Sequence, residues 1–172
     1  MNKKLFYFLG ILALCGIAYK VLFYFYGIDI HLYFMELVSV QAVNLLGFFG
    51  FDASISSYTG IKNNIFMGNS GILRVESGCD GVALITLFLC FAFAFPGPVK
   101  HKLWYIPLGV WLVHCFNIVR VAALVILADY NLEVMKWNHK YTFIILVYSF
   151  VFLLWLAWVK YFSIPHAKAK VA

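Results

Sequence analysis

Charge is what this sequence has least of. Only 12% of its 172 residues are Asp, Glu, Lys or Arg, and seven of them are acidic. A soluble domain covers its core with a polar shell, so this scarcity, set beside 65% hydrophobic residues, excludes that class. The four cysteines are scattered over separate apolar runs and form no spacing pattern, which argues against a disulfide framework. No CxxC or HxxxH pair exists to anchor zinc, so no metal is expected. Internal repeats and low-complexity segments are also missing.

Long apolar runs are what remains. Each crossing of a hydrocarbon layer needs about 20 helical residues, and the sequence reads as an all-α integral membrane bundle. About four transmembrane helices are expected, with one interfacial or re-entrant helix and a small extracytoplasmic loop or hairpin. The runs cover residues 5–26, 81–95, 103–127 and 141–162. The "NKK" start mimics a signal peptide, yet no small-residue cleavage site follows, so the first run is read as a retained helix. Residues 30–51 carry His31, Glu36, Gln41 and Asn44 and either cross or lie at the interface. Residues 52–80 are rich in Gly, Ser and Asn around the β-favouring pieces "SISSY" and "GILRV". The whole chain forms a single membrane domain.

The net charge of +6 sits beside apolar segments, at Lys3, Lys4, Lys100, Lys102, Lys160, Lys168 and Lys170. That placement marks cytoplasmic loops rather than a nucleic-acid surface. With these lysines on one side, residues 52–80 and 129–140 fall on the other. Arg120 lies 18 residues beyond Lys102, about 27 Å at 1.5 Å per residue, and so reaches the outer face. Cys79 precedes the helix before it, and His139 is expected at the outer start of the helix after it. Three residues far apart in sequence thus share one depth on three consecutive helices.

An arginine in an apolar run is costly. Alone, Arg120 would be explained by snorkelling or by pairing with Glu76, Asp80 or Asp129. Beside Cys79 it does more, because a neighbouring cation and a helix N-terminus both favour the nucleophilic thiolate. His139 then completes a Cys/His arrangement for covalent catalysis, with Arg120 available for an oxyanion. Cys15, Cys90 and Cys115 read as small hydrophobic packing residues. His31, Glu36 and His114 read as satisfied bundle-interior or interfacial groups.

The stretches "RVESGCDGVALITL", "HCFNIVRVAALVIL" and "WNHKYTFIILVYSF", taken in that order, resemble the exosortase/archaeosortase family of membrane-embedded, sortase-like cysteine transpeptidases. The resemblance covers about residues 74–150. It implies Cys79 as nucleophile, His139 as general acid/base and Arg120 as stabiliser of thiolate or oxyanion. Asn117 matches the family's asparagine, three residues before Arg120 on nearly the same helix face. Asp80 stands where the family usually has Ser, and Asp80 and Glu76 are expected to support the site or bind substrate. The resemblance further implies a multi-pass protein of a prokaryotic cytoplasmic membrane, with its site on the extracytoplasmic side and no cofactor. Its implied partners are secreted proteins bearing a C-terminal sorting signal and an envelope acceptor. Two other readings compete: a non-catalytic assembly or transport subunit, and an acyl or glycolipid transferase.

Overall fold

The computed structural model describes residues 3–58, 60–67 and 71–163. Helix α1 (Lys3–Phe48) leads into strands β1 (Ala53–Tyr58), β2 (Ile61–Met67) and β3 (Gly71–Arg74). Helices α2 (Val82–Ala94), α3 (Val99–Tyr130), α4 (Leu132–Trp137) and α5 (Phe143–Trp158) follow. A π-helical turn, Asn138–Thr142, joins α4 to α5, and a second, Val159–Ser163, extends α5. The architecture is the expected helical membrane bundle. By length and composition, Phe23–Phe48, Val99–Tyr130 and Leu132–Phe162 are apolar enough to cross a membrane, with shorter apolar helices at Leu9–Val21 and Val82–Ala94.

Four features differ from the sequence reading. The runs at 5–26 and 30–51 are not two helices but one, 46 residues long and about 69 Å at 1.5 Å per residue. Gly27 is not among the glycines with positive φ, so the polar interval around it does not break the helix. Residues 52–80 hold a three-stranded antiparallel meander in the order β1-β2-β3 rather than a hairpin. The last span begins at Leu132, not at 141, because the Asn131 side chain accepts from the backbone N–H groups of Glu133 and Val134. That N-cap satisfies donors a helix start otherwise leaves orphaned, and it makes "LEVMKW" helical. Helix α3 likewise extends beyond the expected 103–127 at both ends.

Two cores organise the packing. In the first, Met35, Val38, Ala42 and Leu46 of α1 meet Ile65 and Met67 of β2 and Val121, Ala122 and Val125 of α3. Among the described residues, none from the first half of α1 belongs to it, and Leu14 and Ile17 remain more than 60% exposed. The second core joins α2, α3 and α5 through Phe88, Tyr105, Val113, Val147, Val151 and Trp158. In hydrocarbon, lipid tails compete as apolar partners, so helices associate through close packing and hydrogen bonds. Phe116 and Phe150 stack with centroids 4.5 Å apart, and Phe91 stacks on Trp155 at 4.3 Å. Phe88 lies directly over Gly109, where a Cβ would fall 2.0 Å from its Cζ.

Candidate active site

The turn between β3 and α2 presents Cys79. Its own N–H donates to Glu76 O at 2.8 Å, closing a tight turn, and Val75 N–H donates to Asn63 O of β2 at 2.9 Å. The sheet therefore holds one end of this segment. Helix α3 holds the other, since Asn117 Nδ2 donates to Cys79 O at 2.9 Å. That approach depends on Gly81, which has φ 82° and whose missing Cβ would lie 2.9 Å from Asn117 Nδ2. A side chain here would be strained by its φ and would also collide with Asn117.

Around the thiol the three residues singled out by depth converge. Cys79 Sγ lies 3.0 Å from His139 Nε2, and Arg120 Nη2 donates to the same sulfur at 3.3 Å. Arg120 is 7% exposed and Asn117 fully buried. The guanidinium also donates from Nη1 to Asn117 Oδ1 at 3.4 Å and from Nη2 to Gly78 O at 3.5 Å. It is thus directed at the nucleophile turn rather than paired with Glu76, Asp80 or Asp129. Arginine carries five N–H donors, so this arrangement leaves capacity for a further acceptor; Nε is buried without a hydrogen-bond partner. His139 belongs not to a helix start but to the π turn, two turns after the Asn131 cap.

The electrostatics also correct an expectation. Burial pushes the Cys79 thiol above its ordinary value, and Arg120 pulls it back only in part, while Asp80 and Glu76 push in the same direction as burial. These influences together favour the thiol over the thiolate, so an adjacent base is what would generate the nucleophile. A cleft of about 430 Å³ opens onto it between the β3–α2 turn and α4, with Glu76 and Lys136 among its lining residues.

Not every expected residue joins this cluster. Asp80 is fully buried and points away from the thiol's partners. Its Oδ1 accepts from Val82 N–H at 3.0 Å at the start of α2, and its Oδ2 pairs with His31 Nδ1 of α1. Burial raises the Asp80 carboxyl, opposed by His31 and by the Val82 N–H. The carboxylate of Glu76 is exposed, and only its carbonyl takes part in the turn. His31, read from the sequence as a satisfied bundle-interior or interfacial group, finds its partner in Asp80. Its signal was the same as that of Arg120, an ionisable group inside an apolar run. His114, by contrast, is satisfied by Gln41 Oε1 at 2.7 Å. Cys15, Cys90 and Cys115 are free and half-buried. Among the described residues no three His, Cys, Asp or Glu side chains gather to hold a metal.

A bundle of apolar helices carrying a half-buried thiol between an imidazole and a buried guanidinium defines a multi-pass membrane protein with a polar centre built from the β3–α2 turn, α3 and the π turn. The chain belongs to the transmembrane exosortase family, whose sequence model matches residues 3–157 of the 172. The match takes in α1, which the three motifs alone did not reach. Comparison with curated proteins and with solved structures yields no match.

Proposed function

We propose that this exosortase-family protein is a cysteine-type transpeptidase that cleaves the C-terminal sorting signal of secreted proteins at the outer face of the cytoplasmic membrane and transfers them to an envelope acceptor. The observation that carries the proposal is the contact of one sulfur with both His139 Nε2 at 3.0 Å and Arg120 Nη2 at 3.3 Å.

The chemistry follows from that geometry. His139 Nε2 takes the Cys79 proton as Sγ attacks the scissile carbonyl carbon, forming a C–S bond and an oxyanion. Arg120 stabilises that charge. Collapse of the tetrahedral adduct breaks the C–N bond, and His139 returns its proton to the departing amine. The substrate's membrane helix and tail leave, and the protein remains as a thioester on Cys79. An acceptor amine or hydroxyl then attacks the thioester, giving its proton to His139, and Cys79 recovers a proton as its sulfur departs.

The direct test is co-expression with a secreted protein bearing a short motif, a transmembrane helix and a basic tail, with intact-mass analysis of the product. Cys79→Ala and Cys79→Ser should both abolish processing while the protein accumulates normally in the membrane. Normal cleavage by Cys79→Ser would instead identify a base-dependent transferase in which the thiol is incidental.

A further inference from the structure

Asp80 poses a chemical problem. A carboxylate next to a catalytic thiol disfavours the thiolate, yet Asp80 is fully buried beside Cys79. Its two oxygens are both engaged, one by the first N–H of α2 and the other by His31, whose side chain is 15% exposed. The His31 contact spans 49 residues and links α1 to the turn that precedes α2. His31 is itself held, because Phe23 packs edge-on against its ring with centroids 4.4 Å apart.

We propose that His31 and Asp80 are positioning residues for the nucleophile: the pair latches α1 to the turn that carries Cys79 and holds the sulfur against Arg120 and His139. This role rests on the thiol chemistry of the proposed function and adds α1 to the machinery. Asp80 sits between Cys79 and the Gly81 N-cap of α2. Fixing its side chain at both oxygens fixes the backbone on either side of it. Releasing Oδ2 leaves a buried acceptor unpaired and lets the turn relax, lengthening the Arg120 contact that favours thiolate. The charged and titratable groups that face this region are Arg120 from α3, His139 from the π turn, Lys136 from α4, Arg74 from β3, Glu76 from the turn itself, and Tyr19 and His31 from α1.

The test uses the full chain in detergent with Cys15, Cys90 and Cys115 replaced by Ala, and reads the pH profile of Cys79 alkylation by iodoacetamide. Because no substrate is involved, the result is independent of whether the sorting reaction is correct. His31→Ala should displace the profile to higher pH, with about tenfold slower alkylation at pH 7; Asp80→Ala, which loses the latch but also the repulsion of thiolate, should move it in the same direction by less. The double variant should be no worse than either single one, since both remove one contact. Asp80→Asn separates latch from charge. Its amide oxygen still accepts from Val82 N–H and its NH₂ donates to His31, while the repulsion of thiolate is gone, so its profile should lie at or below the wild-type pH. If His31→Ala fails to fold, His31→Leu takes its place with the same expectation. Additive losses, an unmoved profile in the His31 variant, or Asp80→Asn as slow as Asp80→Ala would each overturn the proposal.

Discussion

The two ends of the α2–α3–α5 packing are built on opposite principles. At the end near Cys79, polar side chains reach backbone groups and each other: Asn117 holds Cys79 O, Arg120 holds Gly78 O, and Asp80 holds Val82 N–H. At the other end, Tyr105, Trp158 and Phe162 tilt against one another with centroids 5.0 to 5.6 Å apart, and shape does the holding. A buried hydrogen bond fixes one atom against another, whereas packed rings fix volumes and tolerate exchange of equals. The chemistry belongs at the first end because it needs atoms placed within tenths of an ångström.

That contrast can be broken or sharpened by mutation. The largest effect after loss of the thiol itself is expected from His139→Ala, which removes the adjacent base and should slow acylation by about 10²–10⁴-fold, read as thioester formation in single-turnover mass spectrometry. Arg120→Ala should cost about 10²–10³-fold. It also removes the charge that opposes burial at Cys79, so thiol ionisation, followed by alkylation, should move to higher pH; Arg120→Lys should restore part of it. At the aromatic end, Gly109→Ala drives a Cβ to 2.0 Å from Phe88 and should destabilise the fold by about 1–3 kcal/mol, measured by thermal unfolding in detergent. Its folded fraction should keep the wild-type alkylation profile; a displaced profile would mean the two ends are mechanically one. Tyr105→Phe is expected to be mildest, since it loses a single 2.6 Å bond to Leu154 O, worth about 1 kcal/mol.

Reading depth along apolar runs located Cys79, Arg120 and His139 because polar residues in hydrocarbon demand a reason and helical rise converts residue counts into height. The membrane class and the helices expected at 81–95 and 103–127, found at 82–94 and 99–130, followed from the same logic. The continuity of α1 did not, since Gly27 and Asp29 look like a break and only backbone geometry shows none. Nor did the middle strand, β2, where "IKNNIFM" alternates too weakly to declare itself. Asn131 was legible as a cap, two residues before Glu133, and would have moved the start of the last span. The role of Asp80 required a partner 49 residues away, which no local pattern reveals.

The π turn around His139 alters the arithmetic of the last helix. The buried side of α5 runs through Val147, Val151 and Trp158. On a regular α-helix, at about 100° per residue, His139 is eight residues before Val147 and would point about 80° away from that stripe. A π turn absorbs one residue, so the separation behaves as seven and the offset shrinks to about 20°. The imidazole faces the thiol because the chain is one residue out of step with its own helix. Deleting a residue between 140 and 142 should therefore give a regular helix of seven-residue separation and leave His139 on the buried side, whereas winding the full-length segment as regular α-helix would turn it about 80° away.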